Sequence, residues 1–267
     1  MTLLEEGTGS IEEIFRDPSG FDIKLDNISV AASSTPVLYD INLEIKKGET
    51  IAVLGRSGAG KSTLLRTIAG LIKPSKNTVL FNNIDFFSLG KKEKLLLRRM
   101  IGYVPQQFKL IKESSVFGNV MIGRLGHMST AASLLRRYPE KDQRLVLDCI
   151  SKVGLTGKES IPTKKLSGGE QQRVAIARCL AQEPRVILAD EPMASLDISL
   201  ATTILEILHN ENIERGKTAI FVMHDIEMAR RYAKRIILMK NGRVMSDGPV
   251  TEMDENAIKK ILFDQVI

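Results

Sequence analysis

Apolar residues alternate with polar ones at Phe21, Ile23 and Leu25 and again at Ile41, Leu43 and Ile45. A period of two with one apolar face predicts half-exposed strands, here an antiparallel layer near the start of the chain. Further on the pattern changes. "TIAVL" at 50–54, "RVILAD" at 185–190 and "TAIFVM" at 218–223 are apolar without alternation, which predicts parallel strands buried on both faces. Residues 106–182 lose the strand signal and carry helical spacing, notably at 141–153 and 170–182, so an inserted helical subdomain is expected there. In "RIILMKNGRVMSDG" the pair Asn241-Gly242 lies between two apolar runs; it predicts a tight hairpin and reads as a simple surface turn. Residues 251–267 predict one short amphipathic helix with Ile258, Ile261 and Leu262 on a face. That helix is too short for a separate sensor domain. The polar residues 1–20 are expected to form a flexible tail, which leaves 21–250 as the main α/β domain.

Composition narrows the functional classes. The chain has 267 residues, 43% hydrophobic and 26% charged, which suits one large core and excludes wholesale disorder. Its net charge of +6 is spread over helical stretches such as "KKEKLLLRRM" without interleaved aromatics. Solvated faces account for that pattern, and nucleic acid is not an expected partner. An anionic membrane surface or a nucleotide suits the charge as well. Cys149 and Cys179 each sit in an apolar helical pattern with no metal-spaced neighbour, so both are expected to be buried, reduced thiols. The acidic start "MTLLEEGTGSIEEIF" does not read as a signal peptide, and no apolar run reaches the length of a membrane span. Any role at a membrane is therefore expected to pass through a partner.

Five short motifs carry chemistry. "GRSGAGKS", Gly55 to Ser62, fits G-x-x-x-x-G-K-S between a buried strand and a helix. In such a loop the backbone amides of Gly55, Arg56, Ser57, Gly58, Ala59, Gly60, Lys61, Ser62 and Thr63 face phosphate oxygens, the Lys61 ammonium neutralises charge, and the Ser62 hydroxyl ligates magnesium. "RVILADE" ends a buried strand in two carboxylates, which are costly there unless they meet a cation and a water. Asp190 is the expected magnesium residue and Glu191 the residue that polarises the attacking water. Gln106 in "YVPQQF" is either a loop residue or a ligand of magnesium or water, and His224 in "FVMHD" either a core histidine or a γ-phosphate contact. Their places at strand ends, where open α/β sheets bind ligands, favour the functional alternatives.

The fifth motif, "LSGGEQQR", repeats the phosphate-binding theme with Ser167, Gly168 and Gly169 before a helix expected to begin near Glu170. It lies in the helical insertion, with no lysine and carboxylates of its own to complete a second nucleotide site. Two chains facing each other solve this, each serine-glycine pair gripping the γ-phosphate on the other chain's loop, with Asp197 of "ASLD" at the seam.

In this order the glycine loop, "YVPQQ", "LSGGEQQR", "ILADEP", "ASLD" and "VMHD" resemble the ATP-binding subunit of an ABC transporter over residues 21–250. The resemblance implies a P-loop NTPase, RecA-like core, ATP and Mg2+ as cofactors, and a head-to-tail homodimer that drives a transmembrane permease from the cytoplasmic face of the cell membrane. It also implies that Gln106 opens a loop sensing the permease and that His224 contacts the γ-phosphate. "GNVMIGRLGHMSTAASLL", residues 118–135, with "PQQFKLI" and "LADEPMASLD", is similar to the ATPases of phosphonate importers. This implies a phosphorus oxyanion as solute and, indirectly, a solute-binding protein; residues 106–135 would face the permease. The alternatives are an importer of another solute and the ATPase of a soluble phosphonate-degrading assembly. DNA-repair and translation ATPases of the superfamily carry long coiled coils or tandem ATPase domains, and the sequence has neither. The family places an adenine-stacking aromatic near Ala32, where this chain has none; Tyr39 is the nearest ring, so weaker or less base-selective nucleotide binding is expected. The chain also departs at Pro105, where an apolar or aromatic residue is usual and local stiffness is the expected effect.

Overall fold

Two sheets and a set of helices carry the chain, seen in a computed structural model that describes residues 20–263 except 33–34, 129–134, 136 and 194–197. In the larger sheet β3 (Thr50–Gly55) lies between β8 (Thr218–Met223) and β9 (Arg235–Lys240), parallel to both. β7 (Val186–Asp190) joins β8 to β6 (Ile101–Val104), again in parallel, and β10 (Arg243–Pro249) closes the other edge antiparallel to β9. Every residue of β3, β7 and β8 is buried, as their unalternated apolar runs require. Alternate side chains still serve different faces. Ile51, Val53, Leu188, Ile220 and Val222 join one core, while Ala52, Leu54, Ile187, Ala189 and Phe221 join the other.

The first core is closed by the smaller, antiparallel sheet, ordered β2-β1-β4-β5: β2 (Thr35–Ile45), β1 (Ile23–Ala32), β4 (Val79–Phe81) and β5 (Ile84–Asp85). Its inward positions slip by one residue midway. Leu25 is followed inward by Ile28, and Leu38 by Ile41. The register shifts there, and Asn27 (φ 49°) and Asp40 (φ 47°) take the left-handed backbone that a bulge uses.

The second core lies under the helices. Within 106–182 these are α3 (Val116–Met121), a 3-10 turn at Ile122–His127, α4 (Glu140–Lys152) and α5 (Gly168–Ala181), on the far side of α2 (Lys91–Arg99) in sequence. α5 starts at Gly168, ahead of the expected Glu170, because Ser167 caps it. Buried Arg124 welds this group together: its Nε donates to Asp142 at 2.7 Å, and its Nη1 to Glu183 at 2.8 Å and to the Ala181 carbonyl at 2.9 Å. One side chain joins the group to the sheet. Gln182 Nε2 donates to the carbonyls of Arg98, Arg99 and Ile101 at 2.9 to 3.0 Å. Cys149 and Cys179 are buried in these helices as thiols, outside any disulfide. α6 (Ile198–Arg215), α7 (Ile226–Tyr232) and α8 (Glu255–Phe263) complete the described chain. α8 is the expected terminal helix and buries Ile258 and Leu262, with Ile261 partly covered. Of the predicted tail, residues 1–20, all but Gly20 lie outside the described residues, and Gly20 is buried.

Candidate functional site

Strand β3 runs into the glycine loop, and α1 (Lys61–Ile68) follows. Gly60 caps the helix with φ 98°, and a Cβ there would lie 2.7 Å from Leu38 Cδ2, so both the backbone and the packing demand glycine. No side chain caps α1 and no acid occupies its first turn. The amides at its start are therefore left for an outside acceptor, the arrangement that receives a phosphate. Buried Lys61 lies back over the loop, donating to the carbonyls of Gly55 at 2.6 Å and Arg56 at 3.0 Å. Burial lowers its pKa, against the opposing pull of Glu191 and Asp190.

The hairpin turn is more than the surface reversal its sequence suggests. Asn241 (φ 49°) and Gly242 (φ 74°) take the left-handed conformations of a tight turn. Gly242 N then donates to the Ala59 carbonyl at 3.1 Å, and its own carbonyl accepts from Tyr39 N at 2.9 Å. A Cβ at Gly242 would sit 2.2 Å from the Val37 carbonyl oxygen. The turn thus braces the phosphate loop against β2 because β9 pairs with β3, a neighbour far away in sequence.

Asp190, the last residue of β7, is fully buried. Its Oδ1 accepts from Ser62 Oγ at 2.8 Å and its Oδ2 from the Tyr103 hydroxyl at 3.1 Å. Arg66 Nε donates to that hydroxyl at 3.3 Å. The Tyr103 pKa is pushed up to about 12, first by burial. Among the described residues no group of three or more His, Cys, Asp or Glu is placed to hold a metal. One carboxylate and one hydroxyl beside a phosphate loop still fit magnesium, a hard cation that shares its coordination with substrate phosphates.

Glu191 follows in a left-handed conformation, φ 52°. Its Oε1 is 2.6 Å from His224 Nε2, and its Oε2 accepts from Gln106 Nε2 at 2.6 Å. Strands β6, β7 and β8 are neighbours, so residues just past their ends meet at one sheet edge. The His224 side chain is 51% exposed, which removes the core-histidine alternative. The Gln106 amide is engaged by Glu191, so its Oε1 is the atom a cation would take.

Ser167, Gly168 and Gly169 open α5 on their own. Ser167 and Gly168 are exposed, and a Cβ on Gly168 would meet nothing within 4 Å. Ser167 Oγ accepts from Glu170 N at 3.3 Å while Glu170 Oε2 accepts from Ser167 N at 2.8 Å, a capping box. Lys158 pairs with Glu170, and this contact leads the causes that lower the Glu170 pKa to about 2. Asp197 lies outside the described residues, as do Ser33, Ser34 and the side chain of Ala32 at the expected adenine position. Tyr39 is taken up elsewhere: its ring lies 5.0 Å from the Arg243 guanidinium and its hydroxyl donates to the Pro36 carbonyl at 3.2 Å. Sequence reasoning missed Tyr103, Arg66 and Gly242 as neighbours of the site. A hydroxyl-bearing ring inside the apolar run "IGYV" was the available signal for the first.

Known proteins share this framework. Residues 38–194 match the family model described as ABC transporter. The chain is 41% identical over 240 residues to "Phosphonates import ATP-binding protein PhnC 3" of Halalkalibacterium halodurans, covering 90% of this chain and 93% of the relative. It is 37% identical to the PhnC protein of Lactococcus lactis subsp. lactis, covering 90% and 98%. Among solved structures, the dimeric bacterial ABC transporter cassette MJ0796 superposes with a TM-score of 0.77 at 36% identity, over 85% of this chain and 98% of that one. The same cassette in a post-hydrolysis state bound to ADP and Pi gives 0.75. With the glycine loop, buried Asp190 and clamped Glu191 at one sheet edge, these matches establish that the chain belongs to the ABC transporter family, as one of its ATPases.

Proposed function

We propose that two copies of this chain close on two ATP molecules at the cytoplasmic face of the cell membrane and drive a permease that imports phosphonate or a related phosphorus oxyanion. The observation that carries the catalytic part is Glu191, held at 2.6 Å by Gln106 on one side and His224 on the other, one residue beyond buried Asp190. Lys61 turns from the loop carbonyls to the β- and γ-phosphates, whose oxygens also accept from the amides of residues 55–63. Ser62 and Asp190, with Gln106, would hold magnesium, which when bound would offset phosphate charge. Glu191 takes a proton from the water that attacks the γ-phosphorus, the bond to the leaving ADP oxygen breaks, and phosphate departs. Gln106 and His224 keep the carboxylate and the water in line. The second chain supplies Ser167, Gly168, Gly169 and Asp197 to the γ-phosphate.

The permease reading is supported by a groove of about 320 Å³ lined by Leu71, Pro105, Ile122, Arg178 and Gln182, between the sheet edge and the helical group. Among the described residues no helix is long and apolar enough to cross a membrane. The solute class rests on the relatives named for phosphonate import. Two measurements test the whole. Glu191→Gln is expected to trap ATP-bound dimers with hydrolysis reduced about a hundred- to ten-thousandfold, and retained turnover would place the base elsewhere. The complex purified with its permease is expected to take up methylphosphonate in vesicles; uptake of an unrelated solute alone would refute the solute class.

A further inference from the structure

Asp190 has no access to solvent, so every lone pair of its carboxylate depends on a protein donor or a cation. Two hydroxyls answer, one on each oxygen: Ser62 on Oδ1 and Tyr103 on Oδ2. They are not equivalent. The Ser62 hydroxyl is the group that would turn to magnesium on the reading proposed above, whereas Tyr103 comes from β6 and reaches only the far oxygen. Tyr103 is half-buried between the buried residues Ile101, Gly102 and Val104, and phenylalanine would fill the same space but leave Asp190 Oδ2 without this donor. Arg66 occupies the acceptor side of the phenol at 3.3 Å, so the single phenolic proton points at Asp190.

We propose that Tyr103 is a positioning residue for the magnesium carboxylate: its hydroxyl, oriented by Arg66, fixes the plane of Asp190 so that Oδ1 stays aimed at the cation beside Ser62. The proposal rests on the assignment of Asp190 to magnesium made above. Three elements, α1, β6 and β7, thereby set one carboxylate angle. The hydroxyl serves the metal and leaves the phosphate loop alone.

The test uses the full chain and a fluorescent ATP analogue, with binding measured in EDTA and across a magnesium titration. Tyr103→Phe is expected to raise the magnesium midpoint about ten- to a hundredfold, the loss of one hydrogen bond to a charged group, while binding in EDTA is unchanged. Arg66→Met shifts the midpoint in the same direction by less, and adds nothing in the Tyr103→Phe background. An unchanged midpoint in Tyr103→Phe, or an equal loss of affinity in EDTA, would overturn the proposal. Asp190→Asn separates the two levels. If it abolishes the magnesium dependence while Tyr103→Phe is silent, only the tyrosine role fails; if it preserves that dependence, the magnesium assignment itself fails.

Discussion

Two helices of this chain begin with glycine and serine, and they treat their first amides in opposite ways. α1 follows Gly60 with no side-chain cap and no acid in its first turn, while the hairpin at Gly242 braces the loop from behind. α5 follows Ser167, which closes a complete capping box, and carries Glu170, paired with Lys158, in its first turn. The first start is vacant by construction and the second is satisfied. A glycine-serine motif therefore offers a phosphate site of its own only when its helix lacks its own cap. In the dimer proposed above, the α5 start would act on an anion by presenting exposed Ser167 and Gly168 to a ligand already gripped by the other chain.

The largest expected effect breaks the pair apart. Lys61→Ala should weaken ATP binding by the isolated chain about a hundredfold, whereas Ser167→Arg should leave that binding intact and lower turnover at least about a hundredfold with loss of the dimer. Equilibrium binding and size-exclusion chromatography read the two; a Ser167→Arg chain unable to bind ATP would end the shared-site reading. Next, Gly242→Val places a branched side chain against the Val37 carbonyl in a left-handed turn. It should destabilise the fold by about 3 kcal/mol in urea unfolding and weaken ATP binding as the brace shifts. Smaller still is base selectivity. Without an aromatic at Ala32, stacking worth about 1 kcal/mol is missing, so ATP and GTP affinities are expected within about tenfold of each other; strong preference for ATP would count against this.

The smallest effect tests the capped start alone. The Glu170 carboxylate is depressed in the folded chain, so its contribution to stability is complete above the ordinary value of 4.5 and is lost as pH falls through about 2. Glu170→Gln keeps a capping side chain and should flatten acid unfolding across that window without changing neutral-pH turnover much. An unaltered acid profile would show that the Lys158 pair contributes nothing.

Much of this comparison was readable from sequence because its parts are local. Strand, glycine loop and helix are consecutive at 50–68, and the two carboxylates at 190–191 close an unbroken apolar run. The hairpin at Asn241-Gly242 was legible for the same reason. What it braces was not, since that follows from β9 pairing with β3. The clamp on Glu191 depends likewise on β6, β7 and β8 lying side by side although a helix-rich stretch separates the first two in sequence. Apolar periodicity assigns Tyr103 to a strand and is silent about the carboxylate on the next one. In β1 and β2 the alternation itself slips at Asn27 and Asp40, so a strict period of two fails beyond Leu25.

Glu191, the base proposed above, has a backbone angle of φ 52°, a region in which glycine and asparagine are the comfortable residues. A library randomised at this codon and sorted for soluble expression should enrich glycine and asparagine, both without a carboxylate. Selection for growth on a transported nutrient should return glutamate alone. Stability and turnover thus pull this one position toward different amino acids, and a consensus drawn from expression screens would converge on a well-folded chain that hydrolyses nothing.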